Sequence, residues 1–264
     1  MKIGIATPCY DGRVHDAHMH AILKLWPYAA AKGVELEYLA ARGCAILPDV
    51  RNFLVAQAFK NKCDKVLFLD SDISIGDPEV FLNFLMSPVP IVAGVPQGRN
   101  STWNAEPRLI VRWDKIPPEQ DEDTGLWIVE AAATACLLID MDVFRTLAEK
   151  GLAKRYIQHG QVDPNDIPAL LHFYNFFDYE KVEMPPGEKL VDQLKAIGYE
   201  PPYMMNLGED FYFCRQARAA GFRILVDPRI HLVHFDGCVQ HNAHLGQVSF
   251  QPGEVEVRRE AKEG

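Results

Sequence analysis

The sequence predicts an α/β fold, with a mostly parallel central sheet and helices on both of its faces. Three observations carry that expectation. Strand-like and helix-like apolar segments alternate along the first part of the 264-residue chain. One of them, Lys65–Leu69, is nearly continuously apolar, as a strand covered on both faces must be. Glycines at 33, 151 and 221 close helical stretches, and a repeated β-α-β order needs crossovers that lay helices over a parallel sheet.

Taken in order, Lys2–Ala6 is a short strand ending in Thr-Pro, and residues 17–32 are helical up to Gly33. Val34–Ala40 alternates apolar and polar residues, the period of a strand. Val50–Asn61 is an amphipathic helix with Val50, Phe53, Leu54 and Ala58 near one face. Lys65–Leu69, a helix over Pro78–Met86 and a strand over Pro90–Val95 follow. Arg108–Trp113 and Leu126–Glu130 read as a hairpin around the polar tip Pro117–Gly125. Cys136–Ile139 is a strand and Asp142–Lys150 a helix. Residues 152–205 carry many prolines and aromatics with little periodicity, and are expected to be an insertion or lid on a single domain spanning 1–250. Glu209–Ala220 is a helix, Arg223–Val226 a strand and Arg229–Phe235 an extended segment. The charged tail, 251–264, is expected to fray.

Composition excludes several classes. With 48% hydrophobic and 24% charged residues the chain has an ordinary globular balance. A formal charge of −9 argues against a broad electrostatic grip on nucleic acid or anionic membrane. The longest strongly apolar stretch, Ala131–Ile139, is too short to cross a bilayer, which takes about 20 residues. The N-terminal segment lacks the apolar core of a signal peptide, so a soluble, cytoplasmic protein is expected (in the host cytoplasm if phage-encoded). The six cysteines form no C-x-x-C and are expected as buried reduced thiols. Neither a Walker A loop nor G-x-G-x-x-G is present, which disfavours an ATPase or a dehydrogenase.

Three constellations could carry chemistry. At the end of the apolar strand stand Asp70-Ser71-Asp72, where α/β sheets bind ligands. If the chain stays extended, the two carboxylates point the same way and a divalent cation would relieve their repulsion. A polar strand end with Asp72 capping a turn is the structural alternative. Glu209 and Asp210 open a helix, either as charges favoured by the helix dipole or as a general base at a pocket edge. In Arg229–Asp236, His234 and Asp236 share a strand face. His234 is thus either a third ligand for Mn²⁺ or a hydrogen-bonded structural residue.

Together these motifs resemble the GT-A (Rossmann-like) nucleotide-sugar glycosyltransferases, especially the small family-2-like enzymes of bacteria and phages. The resemblance spans roughly Lys2–Asp236 without 152–205. It rests on Asp70-Ser71-Asp72 as the D-x-D motif, on Glu209-Asp210 before an aromatic helix with Arg215 and Gly221, and on the late His234. Arg51-Asn52 and the Ala132–Ile139 segment are weaker echoes; the family often has Gly where this chain has Ala135. The resemblance implies transfer of a sugar from a UDP-sugar donor to an acceptor hydroxyl. Asp72, helped by Asp70, and His234 would hold Mn²⁺ or Mg²⁺. Thr7, Pro8, Tyr10 and Arg13 would border the uridine, with Arg51 and Ser71 also on the nucleotide. Asp210, with Glu209, would be the catalytic acid pair, and Asp210 the base if the enzyme inverts configuration.

The donor sugar and the stereochemistry stay open. So does the acceptor: a glycan, a lipid carrier, a protein, a small molecule or hydroxymethylated DNA. The basic cluster Arg99, Arg108, Arg112 and Lys115 fits either an anionic acceptor or a solvated hairpin face. His172, Phe173, Tyr174, Phe176, Phe177 and Tyr179 fit either an acceptor-side lid or aromatic packing onto the core. Rival functions are a nucleotidyltransferase using carboxylate-held Mg²⁺, which should carry a Gly-rich basic loop where Thr7–Arg13 stands, and a non-catalytic nucleotide-sugar-binding module.

Overall fold

The computed structural model describes residues 1–96, 111–115, 117–156, 173–184, 189–236, 239–242, 248–251 and 254–257. The elements are β1 (Lys2–Cys9), α1 (Asp16–Ala31), β2 (Glu35–Arg42), α2 (Leu47–Lys60), β3 (Lys65–Leu69), β4 (Ile73–Ile75), α3 (Pro78–Leu85), β5 (Ile91–Ala93), β6 (Val111–Trp113), β7 (Trp127–Ala132), β8 (Cys136–Asp140) and α4 (Met141–Glu149). Beyond the 152–172 region come β9 (Glu180–Glu183), α5 (Lys189–Ala196), β10 (Met204–Leu207), α6 (Glu209–Ala219), β11 (Ile224–Val226), β12 (Leu232–Asp236), β13 (Val239–Asn242), β14 (Val248–Gln251) and β15 (Glu254–Val257).

Eight strands form the central sheet in the order β2-β1-β3-β8-β5-β11-β7-β6. Only β7 and β8 run against the rest, so the sheet is mostly parallel, as the sequence predicts. Alternation along β3 explains its all-apolar composition. Val66 and Phe68 join a core with Leu54, Val55, Phe144, Leu147 and Phe213. Leu67 and Leu69 join the opposite core with Ile22, Leu25, Phe81, Phe84 and Leu85. Helices therefore cover both faces. The expected hairpin forms as antiparallel β6–β7, with a register irregularity at Arg112/Trp113; Arg108 lies outside the described residues. Among the described residues the five cysteines are free, and four of them are buried.

Two features depart from expectation, and a third falls on one side of an alternative the sequence left open. First, a second sheet, β13-β12-β4, sits beside the first, and its strand β4 begins immediately after Asp72. Second, Glu254–Val257, within the 251–264 tail expected to fray, pairs antiparallel with Val248–Gln251 just before it. Third, Phe173, Phe176 and Phe177 are core residues rather than lid residues. All three are at most 1% exposed. Phe177 stacks on Phe213 with centroids 4.9 Å apart, and Phe176 meets Phe144 edge-on at 4.9 Å. Burying three large rings removes so much apolar surface from water that packing outweighs solvent access. Tyr179 alone stays well exposed, and His172 lies outside the described residues.

Candidate functional site

β1 and β3 are parallel neighbours, so their carboxyl ends open on the same edge of the sheet. The Asp70-Ser71-Asp72 segment leaves β3 at that edge. It does not stay extended: Ile73 N–H donates to Asp70 C=O at 3.0 Å, closing a turn. The two carboxylates, which extended geometry would have aimed together, meet different partners. Asp70 Oδ1 lies 3.2 Å from Arg51 Nη2, whereas Asp72 Oδ2 lies 3.7 Å from His234 Nε2.

Several backbone bonds fix this turn. Asp70 N–H donates to Ala135 C=O at 3.1 Å, His15 N–H to Ser71 C=O at 2.8 Å and Phe235 N–H to Asp72 C=O at 2.9 Å. The pairing of His234 with Ile73 across β12–β4 delivers the His234 imidazole to Asp72. The His15 ring stacks on Phe235 with centroids 4.0 Å apart.

Arg51 organises the other half. It sits on α2, is 2% exposed and lies with its guanidinium 5.3 Å from the centroid of the Phe68 ring. Its Nε donates to Glu209 Oε1 at 3.3 Å while Nη2 donates to Asp70 at 3.2 Å. Among the described residues its Nη1 is buried without a hydrogen-bond partner. One planar cation thus joins the end of β3 to the start of α6, a geometry that suits Arg better than Lys. Asn52, the next residue, does not reach toward the site. Its side chain donates to Phe177 C=O at 2.9 Å and accepts from Phe177 N–H at 3.0 Å, tying the 173–179 segment to α2.

Asp210 follows Glu209 at the N-terminus of α6. Burial, then the neighbouring Glu209 charge, pushes its carboxyl up to about 6. Its Oδ1 accepts from Phe211 N–H at 2.8 Å. Two neighbouring acids thereby acquire different characters. Glu209 is buried and pinned by Arg51, whereas Asp210 keeps partial exposure and a raised proton affinity.

Sequence reasoning missed His18. This α1 residue is fully buried, and its Nδ1 donates to Ile73 C=O at 2.8 Å. Nε2 is then the acceptor facing the Thr7 and Tyr38 hydroxyls at 3.5 and 3.4 Å. Burial holds the imidazole below its ordinary value, against the pull of Asp70 and Asp72. A single polar residue on an apolar helix face was the available signal, and by itself it named no partner.

The residues expected to border a nucleotide base divide. Thr7 is fully buried within β1, which extends to Cys9 instead of stopping at Ala6, so its hydroxyl serves His18. Pro8 is half-buried; Tyr10 is 67% exposed, and the Arg13 side chain is exposed with Asp11 Oδ2 3.9 Å from its Nε. Ser71 is half-buried at the turn. The structure gathers Arg51, Asp70, Asp72, Glu209, Asp210 and His234 at one sheet edge, with Pro8, Tyr10 and Arg13 following β1 at that same edge.

A carboxylate oxygen and an imidazole nitrogen 3.7 Å apart are chemically apt donors for Mn²⁺. Among the described residues no group of three His, Cys, Asp or Glu side chains gathers to hold a metal. An ion here would draw the remainder of its shell from a ligand or water, as Mg²⁺ bound with phosphates does.

The site and fold define an α/β protein with an acidic site at the carboxyl ends of parallel strands. No family model matches the chain, and no curated protein matches it. Solved structures do. A197 from STIV aligns over 99% of this chain and 96% of its own, at 12% identity and a TM-score of 0.45. A glycosyltransferase involved in glycosylating the major capsid of PBCV-1 aligns over 58% and 64%, at 13% identity and 0.32. S. aureus TarS 1-349 aligns over 65% and 56%, at 14% identity and 0.33, and a second TarS structure, in complex with UDP, also matches. The solved structures it resembles therefore include glycosyltransferases, at low identity and over part of the chain. At these TM-scores the likenesses carry no weight for the site, which is read from this chain's own residues. Among the described residues no helix is long and apolar enough to cross a membrane.

Proposed function

We propose that the protein is a metal-dependent glycosyltransferase of the GT-A kind, moving a sugar from a UDP-sugar to an acceptor hydroxyl in the cytoplasm, as one domain over 1–250. The observation that carries this reading is the pair of side-chain links at one sheet edge, Asp70–Arg51–Glu209 and Asp72–His234. They join the three distant stretches that share the resemblance.

Asp72 and His234 would hold Mn²⁺ or Mg²⁺. The ion, when bound, supplies Lewis-acid neutralisation of charge on a leaving diphosphate. Arg51 fixes Asp70 and Glu209, so this part of the proposed site is preorganised and needs little rearrangement during reaction. Tyr10 and Arg13, exposed beyond β1, would border the base. Asp210 is suited to take the acceptor hydroxyl proton. A carboxyl at about 6 is ionised at neutral pH yet more basic than an ordinary aspartate, which is what a general base needs. Glu209, held by Arg51, orients rather than accepts.

The test is a panel of UDP-sugars incubated with Mn²⁺, following slow release of UDP by hydrolysis. Release from at least one donor, lost in Asp72→Asn, is the expected result. No release from any donor, with any divalent metal, would reject the reading.

A further inference from the structure

A cleft of about 120 Å³ lies along α6, lined from that helix by residues that follow Asp210. Phe211, Arg215 and Arg218 line it from α6, spaced so that they share one side of the helix. Arg112 on β6, Glu130 and Ala131 on β7, Val182 on β9 and Leu207 on β10 complete it. Three guanidiniums therefore face one carboxylate, in a chain whose net charge is −9.

That carboxylate is stretched between two of them. Glu130 Oε1 lies 3.7 Å from Arg112 Nη1 and 3.9 Å from Arg218 Nη1, beyond the range of a good hydrogen bond. The other partners, Glu180 on Arg215 and Asp114 on Arg218, engage one nitrogen each, and every guanidinium carries five N–H donors. Aromatic rings hold two of the heads, Arg112 over Phe211 at 6.0 Å and Arg215 over Tyr212 at 5.9 Å. Planar, preoriented, half-exposed guanidiniums are suited to bidentate capture of an oxyanion. Phe211, which lines the cleft, follows Asp210 in the chain.

We infer that this cleft is the acceptor subsite and that it takes a hydroxyl-bearing molecule carrying an oxyanion, phosphate or carboxylate. The acceptor role rests on the glycosyltransferase reading; capture of the oxyanion does not. The anion would dock on Arg112 and Arg215, leaving the hydroxyl near Asp210. Neutral polyols would lack the anchor.

The test uses sn-glycerol 3-phosphate, glycerate and glycerol as probes, titrated into the full chain with UDP and Mn²⁺ present. Intrinsic fluorescence reports binding, because Trp113 adjoins Arg112 and packs against Trp127 with centroids 5.5 Å apart. Expected are a saturable response to the phosphate or the carboxylate and none to glycerol. Affinity should weaken tenfold or more in Arg112→Gln/Arg215→Gln and stay unchanged in Lys24→Gln on α1. The same anion should accelerate UDP release from a donor sugar, and the double variant should lose the acceleration. A response to glycerol equal to that of the anions, no saturable response, or wild-type affinity in the double variant overturns the inference. Absence of donor hydrolysis in the wild type instead overturns the donor reading and with it the acceptor role, while the fluorescence titration still decides whether the cleft captures oxyanions.

Discussion

Asp210→Asn should make the protein more stable and less active at the same time. The carboxyl rises from its ordinary 3.8 to about 6 because burial and Glu209 oppose its charge. Raising a group by that much corresponds to about 3 kcal/mol of ionisation penalty. Partial exposure of Asp210 reduces this, so about 1.5–3 kcal/mol is the working range. The sign follows from linkage. A folded-state value above the unfolded one means the folded protein binds the proton more tightly, so the associated stability is complete below about pH 4 and is lost as pH rises through 6. Asparagine keeps the bond from Phe211 N–H and never ionises. The variant should therefore match the wild type in relative terms at pH 4 and gain up to that range above pH 7. Urea unfolding at pH steps from 4 to 8, analysed by linear extrapolation, reads the difference directly. A stability gap that does not change with pH would refute the environment assigned to Asp210. Transfer should meanwhile fall on the order of 10²–10⁴-fold, the range typical of a lost general base. In the wild type, transfer should rise as pH passes 6.

Further outcomes follow from the same contacts. Arg51→Met strands buried Glu209 and half-buried Asp70, and should cost about 3–5 kcal/mol in chemical denaturation; a loss under 1 kcal/mol would show that these links are dispensable. Asn52→Ala leaves both Phe177 backbone groups without their side-chain partner and should cost about 1–3 kcal/mol, with faster proteolysis within 173–184 as a second readout. Phe177→Ala should cost about 3–5 kcal/mol, because the ring is fully buried against Phe213 and Phe68. Had the ring been part of an exposed lid, the same change would leave thermal stability unmoved and alter turnover alone.

The parallel sheet was legible because both of its faces are covered, which makes β3 read as an unbroken apolar run. Helices α1 to α4 and α6 were legible through amphipathic spacing and closing glycines, to within a few residues at their ends, whereas α5 lies in the 152–205 stretch read as having little periodicity. Strand β4 was not. Three residues are too few to show a period, and Ile73–Ile75 becomes a strand only because β12 returns from far along the chain to pair with it.

The site was legible as residue types and only partly as geometry. The side chains link as Asp70–Arg51–Glu209 and as Asp72–His234. The alternation rule failed at the Asp pair, since the turn closed by Ile73 sends one carboxylate to Arg51 and the other to His234. Thr7 was misjudged for a related reason. β1 continues past it, so its hydroxyl stays inside the fold and bonds inward. The aromatics of 173–177 lacked periodicity because they pack as isolated rings on a helical core rather than along an element of their own.

Calorimetric titration of UDP, with and without Mn²⁺, into the wild type and Asp72→Asn tests the central claim most directly. Tight binding that requires the metal, lost in the variant while its unfolding curve stays that of the wild type, is the result expected of a nucleotide site built on Asp72 and His234. UDP affinity that is absent, or equal in both proteins and indifferent to Mn²⁺, would contradict it.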